Sequence, residues 1–394
     1  MTDDSNSAPA VDIAGGGPAG LAAAIALAAA GRRAVVHERA RDVAHRFHGD
    51  IQGLENWTSD VDVIEELATI GVAPTFEYTP FRETVLFEAD GREHVYRSER
   101  PFYYGIRRGA RAGTLDDALK RQALDRGVEL RFRDPVDRLP DGGIVAFGPR
   151  GADVIAVGYV FETDASNGAY VVFSPALAPL GYAYLLVANG HGTVASCMFS
   201  EFQREREFLD RTVDFFQRHV GVPMQNERRF GGTGNFRPFR PMQRGRMLFV
   251  GEAAGFQDPL WGFGLRYAMV SGQLAAAALM ADEPERYEAL VRRRFGTLFR
   301  AGLVNRYVFN QWGRRAYRAL IRRLDRAPDP RRSLTRQYEE PFAKRLLYPL
   351  AARAGRWPRD PAPCADAHCD RIWCRGEHRA AEDSGRARAP IRER

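Results

Sequence analysis

Gly15-Gly16-Gly17-Pro18-Ala19-Gly20 follows the short apolar run Val11–Ala14 and opens an alanine-rich stretch. The spacing G-x-G-x-x-G between a strand and a helix suits dinucleotide phosphates. Gly15 permits a tight turn, Gly17 lets backbone approach a pyrophosphate, and Gly20 lets the helix pack close to the strand. The helix N-terminus adds free N–H groups and a partial positive charge. Gly15, Gly17, Ala19 and Gly20 are therefore candidate cofactor contacts. Glu38 stands 18 residues beyond Gly20, where a second strand ends. Its carboxylate suits the hydroxyls of an adenosine ribose and repels a 2′-phosphate. Strand, loop, helix, strand and acid stand in the required order. By itself the motif fits FAD and NAD alike.

The elements that must position these residues read as follows. A helix is predicted over 18–30, with proline tolerated in its first turn and Gly31 as its stop. Asp90-Gly91 and Asn189-Gly190 each divide two strand-like runs, which predicts two hairpins. Thr114 with Asp117 resembles a capping box for a helix over 114–125. Residues 142–147 and 246–250 read as strands, 202–219 as an amphipathic helix, and 264–281 as a helix small on one side. Gly231-Gly232-Thr233-Gly234 lacks a preceding strand and reads as a loop.

Residues 247–257 read MLFVGEAAGFQ, and 258–265 read DPLWGFGL. Here the chain resembles the FAD-dependent oxidoreductases of the geranylgeranyl reductase type, in the p-hydroxybenzoate hydroxylase-like flavoprotein group. Those proteins carry a strand ending Gly-Asp-Ala-Ala-Gly, then Asp-Pro-Leu-x-Gly-x-Gly-Ile. The resemblance implies that Glu252, in place of the family's Asp, meets the ribityl chain of FAD, and that Gly264 and Leu265 lie by the isoalloxazine. A helix N-terminus at Gly264 would stabilise negative charge on a reduced flavin. Tyr103 to Arg108, followed by Leu115-Asp116-Asp117, resembles the segment whose Arg contacts FAD. Arg108 is the candidate, with Arg107 as the alternative. Gly49 and Gly53, in a stretch 47–53 read as a loop, occupy the place where relatives line the flavin with small residues. The mid-chain Asp-Gly stretch of many hydroxylases is missing.

The resemblance implies an α/β fold: a Rossmann-like FAD-binding domain split over 1–75, 100–150 and 238–285, with a β-sheet substrate domain inserted at 76–99 and 151–237. A basic helical region, 286–356, and a loose tail, 357–394, follow. The implied activity is reduction of a carbon–carbon double bond of an isoprenoid or other apolar substrate by hydride transfer from flavin N5, with NAD(P)H as a transient electron donor. The alternatives are a flavin monooxygenase or halogenase acting on an aromatic substrate, and a membrane-docked FAD protein without turnover. No acid–base residue is identified.

Charge and composition bound the rest. The 394 residues carry 57 basic and 50 acidic side chains, a net +7. Residues 286–356 hold 19 basic and 5 acidic residues, a net +14, and 357–394 hold 8 and 7, so residues 1–285 carry −8. Apolar residues between Arg292 and Arg323 recur at helical spacing, which predicts either docking on an anionic membrane or holding an anionic or lipid-linked substrate, or else a helix packed on the body with a solvated basic face. No nucleic-acid motif accompanies the charge. No run reaches the ~20 apolar residues of a membrane span, the N-terminus does not resemble a signal peptide, and four cysteines make no disulfide framework. The reducing cytoplasm fits, with peripheral membrane contact through 286–356. Cys364, Cys369 and Cys374, near His368 and His378, lack a known metal spacing and are read as exposed thiols. Cys197 reads as core, His37 as structural, and His45 and His48 as surface-loop residues.

Overall fold

A computed structural model describes residues 9–149, 152–236 and 241–354. Its first sheet has six strands in the order Gln243–Arg244, Met247–Phe249, Gly143–Val145, Val11–Ala14, Ala34–Glu38, Glu129–Phe132. All neighbours run parallel except the edge pair 243–249. Parallel strands need both faces covered, and their apolar runs supply that. Helices Pro18–Ala29 and Leu265–Met280 pack against each other on this sheet. Their approach depends on small residues: a Cβ at Gly272 would lie 2.1 Å from the carbonyl oxygen of Ala19. That contact explains the small face read in 264–281. Helix Leu115–Asp125 joins them, and the Thr114 hydroxyl accepts its Asp117 N–H at 3.3 Å.

The second sheet has seven strands in the order Gln225–Gly234, Val154–Glu162, His191–Met198, Tyr182–Ala188, Gly168–Val172, Glu83–Phe87, Glu93–Arg97. Only the pair 168–172 and 83–87 is parallel. Both hairpins stand where their turns predict. At the second, Asn189 and Gly190 take φ of 50° and 80°, the left-handed values a tight hairpin turn requires. A third, antiparallel sheet joins Ile51–Glu55, Tyr103–Arg107 and Tyr78–Phe81.

Two readings of the sequence are corrected. Gly231 to Gly234 form the end of an edge strand, paired with Val154 to Val157, and not a loop. Glycine is useful there because Gln257 sits against the backbone, 2.1 Å from where a Gly234 Cβ would lie. The stretch 47–53 is a loop only as far as Asp50, because Ile51 begins the third sheet.

The C-terminal region is helical: Tyr287–Trp312, Arg314–Asp325, Pro330–Arg336 and Phe342–Ala354. Its apolar stripe is used internally. Phe295, Phe299, Leu303 and Val304 are buried, as are Tyr317, Leu320, Ile321 and Leu324. Segment 292–323 thus follows the packed-helix reading. Cys364, Cys369 and Cys374 lie outside the described residues.

Candidate active site

The glycine-rich loop has the geometry its spacing predicts. Gly15 takes φ +116°, and a Cβ there would lie 2.5 Å from the Ala146 oxygen. A Cβ on Gly20 would lie 2.0 Å from the Gly15 oxygen and 3.2 Å from Ile13 Cγ2. Gly17 differs: a Cβ there meets nothing within 4 Å. Gly17 is also the N-cap of helix Pro18–Ala29, with no side-chain cap. The chain therefore leaves this helix N-terminus open, as a phosphate-binding loop requires. Glu38 faces it, accepting the Gly16 N–H at 2.8 Å through one oxygen and the Ala40 N–H at 2.8 Å through the other. Ala19 is buried where this helix meets Gly251, and a Gly251 Cβ would lie 3.0 Å from its methyl.

His37, next to Glu38, bridges Asp134 at 2.8 Å and Asp12 at 3.0 Å. Burial lowers its pKa, but the two carboxylates outweigh that and raise it. It holds neighbouring strands together. His45 is exposed, and His48 is half-buried with a pKa lowered by burial.

The second motif lies across the same helix pair. Gly251–Ala254 form a turn after strand Met247–Phe249, and Gly251 takes φ +54°. Glu252 stands on that turn, 3.4 Å from Arg46, and burial pushes its pKa up while the Arg46 and Arg108 charges oppose the shift. Gly264 is the uncapped N-cap of helix Leu265–Met280, with only ordinary contact to Gln257 where a Cβ would be. Asp258 shapes the loop between them: its carboxylate accepts the Trp261 N–H at 2.6 Å. Burial pushes its pKa up to about 6.

Arg108 is buried and paired on both sides with Asp116, at 2.8 Å each. It also donates to Gln52 at 2.9 Å and lies 4.2 Å from the Phe47 ring centroid. Most of its donors are thus satisfied by the chain itself. Arg107 pairs with Glu77 at 3.1 Å. Gly49 takes φ +99°. Gly53 is pressed by Phe263, whose ring edge stands 2.5 Å from where its Cβ would be.

Phe263 leads from this motif into an apolar cavity of about 110 Å³. Tyr103 lines it from the third sheet, Trp57 and Phe173 from the segments just after strands Ile51–Glu55 and Gly168–Val172, Trp261 and Phe263 from the second motif, and Leu320, Leu324, Pro330 and Leu334 from the C-terminal helices. No carboxylate, imidazole, ammonium or guanidinium is among its described lining residues. Two of its hydroxyls are committed, Tyr96 donating to Asp325 at 2.8 Å and Tyr182 to the Trp261 carbonyl at 2.7 Å. Burial raises the pKa of both, so neither is a strong acid. The Thr84 hydroxyl and the Trp57 Nε1–H, by contrast, are buried in the same wall without a partner among the described residues.

Sequence reading missed the cavity because its walls come from five separated segments with no shared period. It also missed Arg306, counted among the basic face of 292–323. Arg306 is buried, donating to the carbonyls of Leu260 and of Pro259 at 2.9 Å, with its guanidinium 3.5 Å from the Phe199 ring centroid. A C-terminal helix thereby fixes the backbone of the second motif. Only the isolated position of Arg306 among Leu303, Val304 and Tyr307 hinted at burial.

The residues fit a dinucleotide with a flat ring. The helix N-termini at Gly17 and Gly264 have no side-chain cap, a Cβ at Gly17 would meet nothing within 4 Å, and Glu38 accepts the N–H of the neighbouring Gly16. No family model matches the sequence, and no curated protein is similar to it. Solved structures share its fold. A geranylgeranyl bacteriochlorophyll reductase-like protein from Thermoplasma acidophilum superposes with a TM-score of 0.69 at 16% identity, over 86% of this chain and 98% of that one. A triply substituted flavin-dependent brominase gives 0.62 at 14% identity, over 88% and 99%. A flavoprotein/dehydrogenase from Cytophaga hutchinsonii gives 0.60 at 15%, over 88% and 99%. At such identities the likeness speaks for architecture alone: this chain has the fold that these three structures share.

Proposed function

We propose that the protein is an FAD-dependent oxidoreductase that adds two electrons and two protons across a carbon–carbon double bond of a neutral apolar substrate, such as an isoprenoid. The observation that carries this reading is the uncharged cavity built directly against Trp261 and Phe263 of the second motif. A void of about 110 Å³ is close to the size that holds one benzene-like unit, which suits a single isoprene unit at the reacting position.

The loop Gly15–Gly20, with Ala19 behind it, would hold the pyrophosphate. Glu38 would hold the ribose, Glu252 the ribityl chain, and Gly264 and Leu265 the ring, with Gly49 lining it. Arg108 would act through the Gly49 loop, because Asp116 takes up most of its donors. FAD, when bound, supplies reversible two-electron chemistry that the side chains lack. The chain's own part is to orient the double bond between Trp57, Phe173 and Phe263 and to exclude water from it. NAD(P)H is the proposed donor, binding transiently, since no second nucleotide loop is present in the sequence.

Protein reduced without oxygen and then given geranylgeraniol is expected to recover its oxidised visible spectrum, with a saturated product by mass spectrometry. Reoxidation only by oxygen, with a hydroxylated or halogenated product, would replace this reading with the monooxygenase or halogenase one. In the same assay Gly53→Ala is expected to raise KM roughly tenfold with bound FAD retained, because the added methyl drives the Phe263 ring toward the cavity. An unchanged KM would remove Phe263 from the substrate wall.

A further inference from the structure

Helix Phe342–Ala354 leaves one face without a partner among the described residues. Its inner face, Leu347, Tyr348 and Ala351, packs on Leu303, Val304 and Tyr307. The opposite face carries Phe342 at 74% exposure, Leu346 at 62% and Leu350 at 53%. At about 100° per residue these three span roughly 80° of the helix surface. Arg353 falls between them on the same wheel and Arg345 beside them, and both are exposed. Large apolar side chains with such exposure are costly in water unless something covers them.

We propose that this face lies on an anionic lipid surface, with Phe342, Leu346 and Leu350 entering the headgroup boundary and Arg345 and Arg353 meeting lipid phosphates. It sharpens the proposal of membrane contact through 286–356 and moves it off 292–323, whose apolar stripe is buried. Charge selects this occupant. Segment 286–356 carries +14, which attracts anionic headgroups. A second copy meeting this face by two-fold symmetry would bring the same arginines together. Residues 355–394 carry nine basic and seven acidic residues and only four large apolar ones, so they offer neither the opposite charge nor much apolar cover. No helix among the described residues is long and apolar enough to cross a membrane, so the contact is interfacial. The same helical region roofs the cavity through Leu320, Leu324 and Leu334, which sets an apolar substrate's site near the layer that dissolves it.

The test is cosedimentation of the full chain with mixed phosphatidylcholine–phosphatidylglycerol vesicles, against phosphatidylcholine alone. Binding is expected only to the anionic vesicles and is expected to fall as salt is raised from about 0.05 to 0.3 M. Phe342→Ser/Leu346→Ser/Leu350→Ser is expected to bind at least roughly tenfold less with an unchanged melting temperature. Arg345→Gln/Arg353→Gln is expected to weaken binding without abolishing it. Equal binding by the triple variant, or none by the parent, overturns the proposal. Loss of a dimer on size exclusion in the triple variant would assign the face to a second copy instead. The visible spectrum of pelleted and free protein reports bound FAD separately, so failure here leaves the cofactor reading intact.

Discussion

Gly17→Ala is expected to melt at the parent temperature yet lose at least tenfold in FAD affinity, whereas Gly20→Ala loses stability and FAD together. The two positions are three residues apart in one loop and take the same added methyl. At Gly17 that methyl meets nothing within 4 Å, so the folded chain accommodates it. Only a ligand brought against the helix N-terminus would be obstructed. At Gly20 the methyl lies 2.0 Å from the Gly15 oxygen and 3.2 Å from Ala146 Cβ. Helix Pro18–Ala29 must then lift from the strand, at a cost of about 1–3 kcal/mol or more, a large share of a typical stability. Melting curves and the flavin absorbance per protein, measured on both variants, decide it. Full FAD retention in Gly17→Ala would remove this loop from the cofactor site.

Arg266→Met is expected to cost about 3–5 kcal/mol in urea unfolding, the range for leaving buried partner charges unpaired. Arg266 follows Leu265 in the second motif and is 2% exposed. It donates to Glu66 at 2.6 Å and to Thr58 at 2.7 Å, and it lies 3.4 Å from Glu55. Arg294, from the long C-terminal helix, shares Glu66. The cluster therefore joins helix Leu265–Met280, helix Val63–Thr69 and the C-terminal region. Arg331 extends it by donating to the Asn56 carbonyl and to that of Ser59 at 3.3 Å. Met fills the volume of Arg without its charge, leaving Glu55 without its nearest cation and Glu66 with Arg294 alone. A Glu66→Gln companion in Arg266→Met is expected to recover part of the loss, and a loss under about 1 kcal/mol in the single variant would mean water reaches the cluster.

The same cluster predicts an acid sensitivity with a definite sign. Burial raises the Glu66 pKa, but Arg266 and Arg294 outweigh it, so the folded value lies below the ordinary 4.5. A carboxyl depressed in the folded state contributes stability that is full above its unfolded pKa. That contribution is lost as pH falls through the folded value. Glu66→Gln is expected to lose this part of the acid sensitivity, so its stability curve below about pH 4.5 is flatter than the parent's. A curve with the parent's slope would show that Glu66 is not the group titrating.

Much of the region around the two glycine-containing motifs was legible because its physics is local. The turn at Gly15, the close packing at Gly20 and the acid at Glu38 follow from residues within one β-α-β unit. The strand-end acid Glu252 and the N-cap Gly264 follow from another short segment. Both hairpins were readable because Asp90-Gly91 and Asn189-Gly190 state their turn chemistry in two residues. Arg108 shows where local reading stops: its type and place beside a Leu-Asp helix start were visible, but not that Asp116 would occupy it.

What the sequence alone determined is thus the dinucleotide-type loop, the α/β order of elements and the split of charge between an acidic body and a basic C-terminal segment. Only the tertiary structure decided that the apolar stripe of 292–323 is buried, that Arg306 and Arg266 are internal struts, and that Trp57, Phe173, Phe263 and Leu334 close one cavity. The reason is that burial of a helix face depends on which surface arrives opposite it, and a cavity belongs to no single segment. Periodicity shows that a face exists, and only packing shows what it meets.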